Sequence, residues 1–257
     1  MFKRITYFSY GVVCYALFFV TFLYAIGWVG NLFVPTSVDA PRAAGQALED
    51  ALVINILLLT LFAVQHSVMA RPAFKRAWTR IVPKPLERST YVLFSSAALI
   101  ALFYWWQPLG GVIWQVENPI GASLLLSGFL LGWLVVLVST FLINHFDLFG
   151  LRQVWLYLLG KPYQPLAFKT PWLYKYVRHP LYVGWLLAFW CTPTMTAAHL
   201  LFAVMTTAYI LVAIRLEERD LVKAHVEYED YRRQVPMLVP RLKGSEPAKP
   251  DYAGDNA

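Results

Sequence analysis

Tyr174-Lys175-Tyr176-Val177-Arg178-His179-Pro180-Leu181-Tyr182-Val183-Gly184 opens a run of about thirty mostly apolar residues, and Arg215-Leu216-Glu217-Glu218-Arg219-Asp220-Leu221 closes it. The run divides into two arms of roughly 16–18 residues, each about 25 Å long as a helix. That is close to the ~30 Å hydrocarbon core of a bilayer. Thr192-Pro193-Thr194 and Ala197-Ala198-His199 interrupt the run near its middle. A turn there brings Arg178-His179 and Glu217-Glu218 to the same membrane face, where two sequence-distant polar clusters form one pocket.

The rest of the chain fits this reading. Hydrophobic residues make up 58% of the 257 and charged ones 14%, too apolar for a soluble domain of this length. Apolar stretches at about 5–29, 51–69, 90–106 and 120–143 are long enough to span as helices. With hairpin arms at 181–196 and 197–214, the expectation is an all-α integral membrane protein of five to six transmembrane helices. Residues 1–243 form a single domain, and 244–257 form a Pro- and Lys-containing tail too polar to pack. Cys14 and Cys191 both lie inside apolar segments, which argues against a disulfide framework or a thiolate metal site. No metal and no nucleic-acid partner is expected.

Charge sets the expected orientation. Of 22 Lys and Arg, 21 fall in the N-terminus, the second and fourth loops and the tail; Arg42 alone lies in the first loop. The positive-inside rule then places both termini in the cytoplasm. It also requires the last apolar run to go out and return, because a single crossing would leave eight basic residues outside. In span four, Gly128-Phe129-Leu130-Leu131-Gly132 either permits close helix contact or is an incidental pair of glycines.

Polar groups gather where spans meet the basic side: Gln65-His66, Glu87-Arg88, Asn144-His145-Asp147 and both hairpin ends. At membrane depth such groups usually line a cavity. Each also admits a local reading. Arg178 can snorkel to lipid phosphate, and His179 can merely precede the helix-starting Pro180. Glu217 and Glu218 can pair with Arg215 and Arg219, and His66 can satisfy a core hydrogen bond. His199 at the outer tip and His225 in the tail read as surface residues.

Arg178-His179-Pro180-x-Tyr182-x-Gly184, a helical hairpin and Glu217-Glu218-x-x-Leu221 resemble the signature of the isoprenylcysteine carboxyl methyltransferase and phospholipid methyltransferase superfamily. Tyr176 and Tyr228-x-x-Tyr231-x-x-x-Val235-x-x-x-Val239-Pro240 fit the same pattern. The Gln65-His66-Ser67-x-Met69-Ala70-Arg71, Glu87-Arg88-Ser89-Thr90-Tyr91 and Asn144-His145-Phe146-Asp147 stretches are similar to the bacterial methanethiol S-methyltransferases, which make dimethyl sulfide, and to the related NnrU-like membrane proteins. The resemblance implies S-adenosylmethionine as cofactor, a small thiol as substrate and the inner membrane of a bacterium, with lipid around the helices. It leaves open methylation of a prenylcysteine carboxylate or a lipid amine, a non-catalytic role and the oligomeric state.

On this basis Tyr176, Arg178, His179, Tyr182, Gly184, Glu217 and Glu218 are the expected cofactor residues, around a pocket on the cytoplasmic side. Arg178 suits a carboxylate and a glutamate suits the ammonium. Adjacent helix positions point about 100° apart, so one glutamate faces the cofactor and the other an arginine. Tyr176 and Tyr182 offer ring faces, and Gly184 allows close approach. A thiol with a pKa near ~8.5 needs deprotonation. His66 and His145 are the candidate bases, Asp147 a candidate orienter, and Gln65, Arg88 and Asn144 complete the substrate side.

Overall fold

The computed structural model describes residues 1–42, 45 and 47–241; the expected tail at 244–257 lies outside them. The chain forms helices α1 (Phe2–Gly30), α2 (Leu48–Ala70), α3 (Pro72–Trp78), α4 (Glu87–Trp105), α5 (Pro119–Ile143), α6 (His145–Leu148), α7 (Leu151–Leu158), α8 (Pro180–Trp190), α9 (Ala197–Ala224) and α10 (Tyr228–Gln234). Among the described residues, α1, α2, α4, α5 and α9 are long and apolar enough to cross a membrane, and α8 is a shorter apolar helix. Leu57, Leu124 and Leu134 are exposed on their outer faces, as lipid-facing side chains are in a bundle whose polar groups are satisfied internally. The protein is an all-α multi-pass membrane protein.

The hairpin forms, but with unequal arms. Its first helix has 11 residues rather than the expected 16, and its second has 28. Thr192 precedes Pro193, and a pre-proline residue disfavours the helical region, so α8 stops at Trp190. Thr194–Thr196 then form β2, which pairs antiparallel with β1 (Val112–Gln115) in the loop before α5. An extended residue advances the chain about twice as far as a helical one, so the strand supplies length that α8 lacks. Thr196 restarts the helix by accepting the His199 backbone N–H, as an N-cap should. This two-stranded ribbon closes the end of the bundle away from most of the basic residues.

Short α8 packs chiefly along α5, and glycines make that possible. A Cβ on Gly132 would lie 2.5 Å from the Ala188 backbone nitrogen and 2.7 Å from the Gly184 carbonyl oxygen. A Cβ on Gly184 would lie 2.7 Å from the Gly132 carbonyl oxygen and 2.8 Å from the Val136 nitrogen. Gly128 meets Cys191 on the same face. The Gly128-x-x-x-Gly132 pair is therefore a true contact seam. Gly184 belongs to it too: the approach it permits is that of α5.

Two clusters divide the interior. At the end away from the basic residues Trp28, Trp106, Phe189 and Phe202 pack edge to face, with Phe103 tilted against Trp28. At the basic end Met69, Tyr91 and Val92 pack with Phe18, Phe74 and Phe149. His199, expected on the surface, is fully buried at the end away from the basic residues. Its Nδ1 lies 2.9 Å from Asp39 Oδ2 and its Nε2 lies 3.0 Å from the Phe189 carbonyl oxygen. Thr196 Oγ1 and Asn31 Nδ2 also donate to Asp39, at 2.6 and 2.7 Å. One carboxylate thus ties the first loop to β2 and the start of α9. A buried histidine beside an apolar tip carries no sequence signal until its acidic partner, 160 positions away, is known.

Burial works against the Asp39 carboxylate, but His199, Thr196 and Asn31 outweigh it and hold its pKa below the ordinary value. A depressed carboxyl contributes stability above its unfolded pKa of about 3.9 and loses it as pH falls through the lower folded value. His199→Ala leaves Asp39 without its main partner and is expected to cost about 3–5 kcal/mol at neutral pH. Thermal unfolding in detergent checks this. The gap between wild type and Asp39→Asn should persist at pH 5–8 and shrink below about pH 4; a gap independent of pH would show that Asp39 is not ionised in the fold.

Candidate active site

The basic end of the bundle is organised by Glu218. Its Oε1 accepts from Arg178 Nε at 2.7 Å, lies 3.0 Å from His179 Nε2 and accepts from the Tyr228 hydroxyl at 3.4 Å. Three segments converge there: the start of α8, the end of α9 and α10. Arg178 Nη1 donates to the carbonyl oxygens of Arg232 and Val235 as well. The backbone adds two more bonds, Arg178 N to Pro236 O and His179 N to Met237 O. The chain after α9 is thereby laced over the hairpin opening. Arg178 and Glu218 side chains are only 10% and 11% exposed.

Glu217 is placed differently. Its side chain is 44% exposed, and Oε2 accepts from the Tyr182 hydroxyl at 3.0 Å. His179 Nδ1 is 3.9 Å from the same oxygen. The two glutamates do point apart, one to an arginine and one to open space, as a 100° helical step dictates. Tyr174, on the 3₁₀ turn Trp172–Lys175, has a buried hydroxyl that finds no partner among the described residues. Tyr176, two residues on, is 56% exposed.

A second polar group lies across the gap between α2, α4 and α9. The Tyr91 hydroxyl is 2.8 Å from His66 Nε2, and Ser95 Oγ is 3.1 Å from His66 Nδ1. Ser67 donates to the Tyr209 hydroxyl at 3.3 Å, and Arg71 pairs with Asp220 at 2.8 Å. Tyr182 of the glutamate cluster lies near Tyr209 and Tyr91, so the glutamate and histidine clusters are neighbours. Arg88 sits over the Tyr91 ring at 5.6 Å and has no carboxylate partner among the described residues. Gln65 donates to Met69 Sδ, and its carbonyl oxygen is buried without a partner among the described residues.

His145 belongs to another neighbourhood. It is buried on α6, with Tyr15 hydroxyl 2.8 Å from Nε2 and Thr140 Oγ1 2.9 Å from Nδ1. It stacks on Phe141, and Phe149 and Phe18 separate it from Tyr91. Burial lowers its pKa. Asp147 does not orient it: the carboxylate receives Arg152 at 2.8 Å and Tyr163 at 3.3 Å. Asn144 caps α6 through the Asp147 N–H. These residues knit the loop after α5 rather than joining the His66–Glu217 region.

Tyr91, Tyr174, Tyr209 and the carbonyl-bearing segment 232–237 were not singled out as site residues. Tyr209 had a visible signal, a hydroxyl within an otherwise apolar span. The carbonyl acceptors had none, because a backbone oxygen carries no residue type.

Comparison with known proteins now adds its own finding. No protein-family model and no solved structure matches. The chain is 62% identical over 232 residues to the methanethiol S-methyltransferase of Crocosphaera subtropica, covering 90% of each protein. It is 54% identical to the methanethiol S-methyltransferase of Mycobacterium tuberculosis, covering 93% of this chain and 97% of that one. It is 34% identical to Nurim of Rattus norvegicus, covering 71% of this chain. With that identity extending over nine-tenths of its length, the chain is a membrane methyltransferase and belongs to the methanethiol S-methyltransferase family.

Proposed function

We propose that this methyltransferase moves a methyl group from S-adenosylmethionine to methanethiol, releasing dimethyl sulfide, with both termini on the cytoplasmic side of a bacterial inner membrane. The observation that carries the reading is the division of labour between Glu217 and Glu218. Glu218 is buried, with Oε1 shared by Arg178, His179 and Tyr228, whereas Glu217 has only the Tyr182 hydroxyl on Oε2 and stands half exposed. A carboxylate held by one hydroxyl and otherwise open suits an ammonium, so the residues present fit the amino-acid end of the donor. The Arg178 guanidinium, which the sequence offered to the donor's carboxylate, is committed to Glu218 and the chain carbonyls; it shapes the site by holding it shut.

When bound, S-adenosylmethionine supplies an electrophilic methyl on a sulfonium that departs as a neutral thioether. The chain's own part is to deprotonate the thiol, aim it and exclude water. His66 accepts the thiol proton. Tyr91 and Ser95 fix its ring at 2.8 and 3.1 Å, which leaves little freedom to the base. Arg88, half-buried over Tyr91 and within reach of His66, stabilises the thiolate as a nearby cation does. Opposite charges cancel as thiolate meets sulfonium, so a dry site among Tyr182, Tyr209 and Tyr91 speeds the step. His145, stacked on Phe141 and bonded to Tyr15 and Thr140 where the loop after α5 begins, serves packing.

Headspace analysis of purified protein given both substrates tests the reaction: dimethyl sulfide must accumulate only when both are present. His66→Ala is expected to lower turnover at pH 7 by about 10²-fold or more with donor affinity intact. Raising the pH should partly restore it, because solvent then supplies thiolate. His145→Ala is expected to lower the melting temperature and leave that pH dependence as in wild type; the reverse pattern would move the base to α6.

Glu217→Gln keeps the Tyr182 contact but removes the charge. Donor affinity in calorimetry should fall about tenfold or more, while the melting temperature stays close to wild type. Glu218→Gln, by contrast, should unfold the hairpin opening and free the chain after α9 to protease. Equal effects of the two variants would refute the division of roles.

The topology has a direct check. A phosphatase fusion at the C-terminus should be inactive and one in the loop between α1 and α2 active. An active C-terminal fusion would overturn the orientation.

A further inference from the structure

Resting on the donor reading above, Tyr174 stands out as a residue the fold prepares for a ligand and does not itself use. Its hydroxyl is buried yet has no hydrogen-bond partner among the described residues. Buried hydroxyls are nearly always paired, and each exception needs a reason. The hydroxyl lies in the field of the Glu217 carboxylate, but Glu217 takes its hydrogen bond from Tyr182 instead.

The turn that carries Tyr174 is held in a costly shape. Trp172 has φ 32°, a left-handed conformation that non-glycine residues seldom adopt and that persists only when the surroundings enforce it. Two features enforce it here. Pro171 leads into the 3₁₀ turn Trp172–Lys175, and the Tyr231 hydroxyl donates to the Tyr174 carbonyl oxygen. Tyr231 in turn packs edge-on against Phe168 and Tyr228. The result turns Trp172 and Tyr176 outward, at 61% and 56% exposure, and Tyr174 inward. The chain after α9 thus clamps both Arg178 and Tyr174.

We propose that the Tyr174 hydroxyl and the open oxygen of Glu217 together receive the ammonium of the donor's amino-acid end. An ammonium has three N–H donors; the carboxylate supplies charge and the phenol oxygen a second acceptor. This gives the unpaired hydroxyl its partner. It also makes Tyr174, rather than Tyr176, the tyrosine of this stretch that contacts the ligand.

Calorimetry with the full-length protein tests this with three probes: S-adenosylmethionine, S-adenosylhomocysteine and 5′-methylthioadenosine, which lacks the amino-acid end. Tyr174→Phe should weaken the first two by about tenfold or more, the expected loss for a hydrogen bond to a charged group, and leave the third unchanged. The free protein should melt at the same temperature or higher, because the substitution removes an unpaired buried hydroxyl. Tyr176→Phe should change none of these. Unchanged affinity for all probes in Tyr174→Phe overturns the proposal. So does a loss confined to S-adenosylmethionine, which would place Tyr174 at the sulfonium, or an equal loss for all three, which would mark a collapsed turn. If the wild type binds no probe, the donor reading fails and the proposal with it.

Discussion

A single buried carboxylate, Glu218, fixes the basic end of this protein. It is buried towards the end of α9, where an unpaired charge is expensive, and three partners from two other segments neutralise that cost. Arg178 and His179 come from the start of α8, Tyr228 from α10, and the carboxylate itself from α9. Neither α8, of 11 residues, nor α10, of 7, is long enough to hold position alone. Their mutual need for Glu218 converts two ends of a hairpin and a trailing chain into one wall. Everything attributed to Glu217, Tyr174 and Tyr182 presupposes that wall.

The wall is placed by packing that owes little to the hydrophobic effect. In lipid, helices gain little by burying apolar surface against one another, and close contact of small residues matters more. Gly132 and Gly184 face each other across α5 and α8 with no room for a methyl group, which sets the depth at which α8 begins. At the far end, Asp39 and His199 pin the first loop to the α8–α9 turn. The short helix is thus fixed at its middle by glycine and at its tip by a buried pair. Its first residues, including His179 and Tyr182, inherit that rigidity.

Much of this was legible beforehand. Apolar lengths and the distribution of Lys and Arg located the spans, and the Arg178-His179 and Glu217-Glu218 clusters foretold that the hairpin ends meet. The helical step between adjacent glutamates also foretold that they point apart, one of them to an arginine. What stayed illegible shares a physical cause: it depends on partners remote in sequence or on backbone. Asp39 and His199 are 160 positions apart, so His199 looked like a surface residue. Arg178 is occupied by carbonyl oxygens that no residue letter announces. Two histidines at span ends looked equivalent, yet His145 packs among Phe141, Phe146 and Phe149, whereas His66 bonds Tyr91 and Ser95. The strand that lengthens α8 is cued by Pro193, but its pairing with β1 spans the whole of α5.

A one-carbon thiol gives a protein almost nothing to grip, and this explains where the polar groups are spent. Methanethiol has too little apolar surface to yield more than about 1–2 kcal/mol on burial, so holding it cannot be the main source of rate. Alignment of two bound reactants can contribute about 7–11 kcal/mol, and that requires a donor gripped firmly by its larger, charged part. The arrangement at the basic end meets this need. The open carboxylate and the unpaired phenol lie on the hairpin side, where a charged amino-acid end can satisfy both. His66 and Arg88 lie on α2 and α4, where under the proposed reaction only a proton and a thiolate need attention. The chain after α9 closes over the hairpin side alone. In the proposed reaction, a firm site for the donor beside a small, loosely specified one for the thiol is what the chemistry asks, and the unequal satisfaction of these polar groups supports that reading.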